Sequence, residues 1–211
     1  MTEKTRILFS DFDGTITARE SLEAVLKQFV PQKYDDMMKR LKAREVTIRK
    51  GVREMVEAVP SAKYPEIIEF VKEIPIRPGF EALLDFLDAR RMLFIVLSGG
   101  LRGMVEARLG PLVKRAHRII AADVDTSGQY LKIFSDYEFG TELVAKVEVM
   151  KEYTADQQIV IGDGITDFQM AEHAGIVFAR DSLAAYLDEA NVSYFAWSDF
   201  FDIRDKLQEL L

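Results

Sequence analysis

The first apolar run of the chain, Ile7-Leu8-Phe9, is short and strand-favouring, and it predicts a buried strand over 6–10. A different rhythm follows. Leu22, Val25, Leu26 and Phe29 recur at helical spacing until Pro31 breaks the helix. Met37, Met38 and Leu41, then Val52, Met55, Val56 and Val59, continue the same spacing. Pro60-Ser61-Ala62 reads as a turn before Ile67, Ile68 and Val71, and Pro75 with Pro78-Gly79 closes the section. Roughly 20–72 is therefore expected to be a small helical bundle inserted after the first strand.

From Phe80 helices and strands alternate. An amphipathic helix over 80–90 precedes the buried strand Leu93-Phe94-Ile95-Val96-Leu97, and a helix over 101–109 follows Ser98-Gly99-Gly100. Segments 118–123 and 130–134 read as a hairpin through Ser127-Gly128, and 143–153 as a helix. Strands are expected at 158–161, ending in Gly162-Asp163-Gly164, and at 175–178. Strands separated by helices imply an α/β fold, with a Rossmann-like, mostly parallel sheet covered by helices on both faces. The expected division is a core of residues 1–17 and 77–211 with a helical insertion of residues 18–76.

Composition narrows the class of protein. A chain of 211 residues with 48% apolar and 30% charged residues can bury one core and a small subdomain. Its formal charge of −7 argues against general nucleic-acid binding, which requires a basic surface. The run Met92–Leu97 is too short to span a bilayer, and polar Met1–Lys4 is followed by no signal-type apolar region. With no cysteine there is neither a disulfide framework nor a thiolate metal site. The expectation is a cytoplasmic protein, monomer or homodimer, with no nucleic-acid or membrane partner.

Three predicted strands end in residues suited to phosphate and metal chemistry. Asp11 and Asp13 leave the first, Ser98, Gly99 and Gly100 the second, and Asp163 with Asp167 a third. Ligands of open parallel sheets bind outside the carboxyl ends of the strands, where such residues converge. Asp11 and Asp13 alternate, so both can face one site, and a cation would offset their repulsion. Mg²⁺ takes hard oxygen ligands, which the carboxylates of Asp11 and Asp163 and the backbone carbonyl of Asp13 can supply. A hydroxyl, amides free of Cβ and a following helix make Ser98-Gly99-Gly100 a phosphate cradle. Lys146, on the helix before the Asp163 strand, is the cation placed to reach it. Each piece alone is more often a solvated turn or a solvated lysine. Their joint order at strand ends is what points to a site. The start of a Ca²⁺ loop is excluded because its later oxygen ligands are missing.

With DFDGTIT at 11–17, LSGG at 97–100, Lys146 and GDGITD at 162–167, the chain resembles the haloacid dehalogenase superfamily of aspartate-nucleophile phosphatases. The insertion is similar to the helical cap of its phosphoserine-phosphatase-like branch. Within that branch the chain looks most like the methionine-salvage phosphatases acting on 2-hydroxy-3-keto-5-methylthiopentenyl-1-phosphate. Pro60-Ser61, Thr166, 178–181 and 199–204 carry that likeness. The resemblance implies a Mg²⁺-dependent phosphomonoesterase of a small phosphorylated metabolite. Asp11 would be the nucleophile and Asp13 the acid and base. Ser98, Gly99 and Lys146 would hold phosphate, with Thr15, Thr166 and Asp167 in support. Glu20, Arg49 and Arg53 are the insertion residues expected to read the leaving group. Two alternatives stay open. Phosphoserine phosphatases place a glutamate at the position of Glu20 to read the substrate amine, although they commonly carry Asn where this chain has Thr166. A non-catalytic phosphate-binding protein of the same fold is the other, against which the intact Asp11, Asp13, Lys146 and Asp163 argue.

Overall fold

The computed structural model describes residues 5–211; the polar Met1–Lys4 lies outside them. Seven strands form one sheet: β1 (Arg6–Asp11), β2 (Leu93–Leu101), β3 (Arg118–Asp125), β4 (Lys132–Phe134), β5 (Gln157–Gly162), β6 (Ile176–Ala179) and β7 (Phe195–Ala196). Their order across the sheet is β4-β3-β2-β1-β5-β6-β7. Every neighbouring pair is parallel except β3 with β4. β1 lies between β2 and β5, with Asp11 beside Leu97 and Ser10 beside Ile161, so three motif-bearing strand ends lie side by side.

Alternation along the strands builds two apolar layers. Leu8, Val96, Ile159 and Ile161 face one side, where α5 (Phe80–Ala89) and α10 (Phe200–Leu210) pack through Phe80 and Phe200. Phe9, Ile95, Leu97 and Val160 face the other, and their layer continues into the insertion through Val25, Met37, Met55 and Ile67.

The insertion after β1 consists of α1 (Ser21–Phe29), α2 (Pro31–Lys42), α3 (Ile48–Val56) and α4 (Tyr64–Lys72). Pro31 is the first residue of α2, a position where its missing N–H costs nothing. The two ends of the insertion meet: Thr17 bridges Ile76, the Ala18 amide donates to the Pro75 carbonyl (2.8 Å) and the Arg77 amide to the Ile16 carbonyl (2.9 Å).

Some predicted elements differ in extent. β2 runs on to Leu101, with its register to β3 shifting between Leu97 and Leu101, so α6 (Arg102–Leu109) begins one residue later than expected. The hairpin is shorter on its return side. There the Leu131 amide donates to Val59 (3.0 Å) and Pro60 bridges Tyr130, so the insertion takes the edge that β3 was expected to fill. The helix expected over 143–153 is only α7 (Lys146–Lys151). Leu143, Val144 and Ala145 are buried without being helical, and the Ala145 amide donates to Tyr137 (2.9 Å). Lys146 therefore opens its helix. Apart from the expected elements, α8 (Phe168–His173), α9 (Asp181–Ala190), α10 and β7 complete the chain.

Candidate active site

β1 ends at Asp11, and the chain turns through Phe12–Ile16, all of it buried. Gly14 has φ +81°, a left-handed conformation, and a Cβ there would strike the carboxylates of Asp163 and Glu20. The Gly14 amide donates to Thr17 Oγ1 (3.1 Å), closing the turn. On the next strand over, Gly162 lets the Asp167 carboxylate approach its backbone, since a Cβ would sit 2.7 Å from Asp167 Cγ.

The side chains converge. Lys146, only 2% exposed, forms ion pairs with Asp11 Oδ1 and with Asp167 Oδ1, the second at 2.6 Å. Thr166 Oγ1 is 3.5 Å from the same ammonium. Asp167 Oδ2 accepts the amides of Asp163 and Gly164, both at 3.0 Å. Thr15 Oγ1 donates to Asp163 Oδ1 (2.6 Å), and the Asp163 carbonyl accepts from the Leu183 amide at the start of α9 (2.8 Å). Ser98 Oγ donates to Asp13 Oδ2 (2.8 Å) and accepts from the Gly100 amide (2.9 Å).

Electrostatics explain why these groups need one another. Burial, then the charge of Asp167, pushes the Asp11 carboxyl well above its ordinary range, against the pull of Lys146. Burial likewise raises Asp163, against the hydrogen bond from Thr15. Burial alone would discharge Lys146, but Asp11 and Asp167 overcome it and hold the ammonium above its usual value. Glu20 is pushed up to about 8 by burial and by the charges of Asp13 and Asp163. One lysine thus faces five carboxylates.

That surplus of negative charge and the all-oxygen donor set fit a divalent cation. Carboxylate oxygens of Asp11, Asp163 and Asp167 lie within 4.8 Å of one another. Both Asp167 oxygens are already engaged by Lys146 and two amides, so Asp11 and Asp163 are the freer donors. The donor set is compatible with the Mg²⁺ expected from the sequence.

A cavity of about 180 Å³ opens above these groups. Asp11, Asp13, Gly99, Gly100, Lys146, Asp163, Thr166 and Asp167 form its floor, with Glu20 at one side. Its lining also includes an apolar wall: Leu22 from α1, with Ile48 and Val52 one helical turn apart on α3. A larger surface cleft of about 620 Å³ beside Gly79 and Pro111 has Glu81 as the one carboxylate in its lining and no lysine.

Most sequence-predicted residues meet here, but not all. Glu20 lines the cavity, whereas Arg49 and Arg53 are absent from its lining. Arg53 donates to the Ile133 carbonyl (2.6 Å) and pairs with Glu138, fastening α3 to the β3–β4 segment. The Arg49 amide donates to the Thr141 carbonyl (2.8 Å). Ser98 is wholly buried against Asp13, leaving Gly99 and Gly100 to face the cavity. Leu22, Ile48 and Val52 were not foreseen as site residues. The i, i+4 spacing of Ile48 and Val52 was the available signal.

Comparison with known proteins agrees with this geometry. Residues 8–172 match the family model described as haloacid dehalogenase-like hydrolase. The chain belongs to that family. It is 43% identical over 205 residues to the 2-hydroxy-3-keto-5-methylthiopentenyl-1-phosphate phosphatase of Microcystis aeruginosa, covering 96% of this chain and 98% of that one. The protein of the same name from Bacillus cereus is 32% identical, covering 97% and 96% of the two chains. Among solved structures, a phospho-aspartyl intermediate analogue of phosphoserine phosphatase superposes with a TM-score of 0.69 at 16% identity, covering 97% of this chain and 99% of the other. A phosphoserine phosphohydrolase-like protein from Francisella tularensis gives 0.72 at 20% identity, covering 95% and 99%. These two likenesses establish the shared α/β fold.

Proposed function

We propose that the chain is a Mg²⁺-dependent phosphomonoesterase that hydrolyses 2-hydroxy-3-keto-5-methylthiopentenyl-1-phosphate. The observation that carries the substrate reading is the apolar wall of Leu22, Ile48 and Val52 lining the same cavity as the acid and lysine cluster. A methylthio-bearing leaving group finds contact there, and among the described residues no cation but Lys146 lines the cavity. Relatives at 43% identity that are named for this phosphatase activity support the same substrate.

In this reading an oxygen of Asp11 attacks phosphorus while the bond to the leaving oxygen breaks, forming an aspartyl-phosphate. Asp13 gives its proton to the departing oxygen. It then takes a proton from the water that attacks phosphorus and releases Asp11 and inorganic phosphate. Lys146 and the Gly99 amide hold phosphate oxygens as charge shifts among them. Asp167 and Thr15 position Lys146 and Asp163 for this work. Asp11, Asp163 and the Asp13 carbonyl would hold Mg²⁺, which when bound offsets repulsion between the carboxylate nucleophile and the phosphate. The helical insertion of residues 18–76 acts as a cap that excludes water and selects the leaving group.

Glu20 favours a second reading, phosphoserine hydrolysis, because its carboxyl lines the cavity where an ammonium would sit. Competition between the methylthio substrate and phosphoserine, measured as the ratio of kcat/KM in wild type and Glu20→Gln, separates the two. The methylthio ester is expected to win in both proteins, with turnover lost in chelator and regained with Mg²⁺. A clear preference for phosphoserine that Glu20→Gln erases would replace the first reading with the second.

A further inference from the structure

Asp13 is held more tightly than a freely swinging proton carrier would be. Its Oδ1 accepts a hydrogen bond from Ser21 Oγ, and also from the amides of Ser21 (3.2 Å) and Leu22 (3.3 Å). Those amides are the first two of α1, donors that a helix leaves unsatisfied at its N-terminus. Glu20, the residue in the capping position, makes no side-chain cap, so a carboxylate eight residues upstream takes that role. Asp13 Oδ2 has different surroundings: it accepts Ser98 Oγ (2.8 Å) and lies against Gly100, which lines the cavity. Ser21 itself is 1% exposed, so its hydroxyl is spent inside the protein and not on solvent.

We infer that Ser21 is a positioning residue for proton transfer, holding Asp13 Oδ1 against the start of α1 so that Oδ2 carries the proton toward the leaving group. The inference rests on the phosphomonoesterase reading, with Asp13 as acid. With three donors on Oδ1, a proton on Asp13 belongs on Oδ2, the oxygen beside the cavity-lining glycine. As the bond from phosphorus to the leaving oxygen breaks and the bond to Asp11 forms, that proton passes from Oδ2 to the leaving oxygen, and Asp13 is left ionised. The resulting charge develops against the amides and hydroxyl that already face Oδ1. Because Ser21 and Leu22 belong to the insertion while Asp13 and Ser98 belong to the sheet ends, the insertion supplies three of the four hydrogen bonds that hold the acid.

The test is the leaving-group dependence of the first chemical step. Release of the first equivalent of phenol is followed by rapid quench, with Mg²⁺ present, for aryl phosphates of rising leaving-group pKa. p-Nitrophenolate departs without a proton, whereas phenolate needs one, and general acid catalysis is worth about 10²–10⁴-fold where it acts. Ser21→Ala should leave release of p-nitrophenol within about threefold of wild type and slow release of phenol by about tenfold or more. Ser21→Thr, which keeps the hydroxyl, should restore the wild-type slope. Ser21→Cys, similar in size but a weak donor, carries the same expectation should alanine disturb the start of α1. A parallel loss on every ester in Ser21→Ala and Ser21→Cys would make the role structural and overturn the inference. Asp13→Asn separates the two layers of argument. If it steepens the slope while Ser21 variants do not, the inference alone falls. If Asp13→Asn shows no leaving-group dependence, the reading of Asp13 as acid falls and the inference goes with it.

Discussion

The two sides of the cavity are built on opposite physical terms. The floor, at the ends of β1, β2 and β5, concentrates buried carboxylates around one buried lysine, each fixed by hydrogen bonds to amides, hydroxyls or that ammonium. The wall, from α1 and α3, lines the cavity with Leu22, Ile48 and Val52, while Arg53 of α3 pairs with Glu138 instead. A floor charge left without any partner costs several kcal/mol. The wall acts through shape and apolar contact, where one methylene changes discrimination by roughly 1–3 kcal/mol. In the proposed function the floor supplies the reaction type and the wall the choice of leaving group.

The largest effect expected from this contrast is at Asp11. Asp11→Asn is nearly isosteric and should lower phosphate release by at least about 10³-fold while leaving the circular dichroism spectrum unchanged. Retained turnover would place the chemistry elsewhere. Lys146→Met comes next and should act on stability as well as rate. It leaves Asp11 and Asp167 without their shared cation, so urea unfolding in chelator should show a loss of about 3 kcal/mol at pH 8. The loss should shrink toward pH 5 as the carboxyls take up protons, and Mg²⁺ should return part of it.

The wall predicts a smaller and more selective change. Val52→Glu should lower kcat/KM for the methylthio ester by about tenfold while glycerol phosphate stays within about threefold. Equal losses on both esters would mean that the wall and floor do not divide the work. The effect smallest on turnover concerns Glu20, between the two regions. Its carboxyl is raised from 4.5 to about 8 in the folded protein, so between those values the folded state binds a proton that the unfolded state has lost. Stability in chelator should therefore fall as pH rises from about 5 to about 8. The melting temperature of Glu20→Gln should show a flatter profile over that range, and a wild-type profile in the variant would remove Glu20 from the account.

The floor was legible because its signals are local. Asp11 and Asp13 end an apolar run, Asp163 ends another, and Gly14 and Gly162 stand where the carboxylates must come close. The parallel sheet then aligns strand ends that are far apart in sequence. The wall was harder to read. Arg49 and Arg53 drew attention as the polar residues of α3, yet the salt bridge from Arg53 to Glu138 depends on how the segment after β4 lies against that helix. The apolar run 143–150 promised a longer helix, but Leu143 to Ala145 are apolar because they are buried in a loop. Burial and helical periodicity leave the same mark over three residues. Ser21 carried no separable signal, since a hydroxyl at a helix start reads as a cap for its own helix.

By itself the sequence determined the alternation of strands and helices, the insertion after the first strand, and the set of acidic, glycine and lysine residues that meet in one cavity. These follow from periodicity and from residue types whose roles are intrinsic, such as a carboxylate at a strand end or a glycine at positive φ. Tertiary structure alone decided which oxygen of Asp13 faces the start of α1, which side of α3 meets the cavity, and that Val59 pairs with Leu131. Those are contacts between segments many residues apart, and their energies depend on distances that no local pattern encodes.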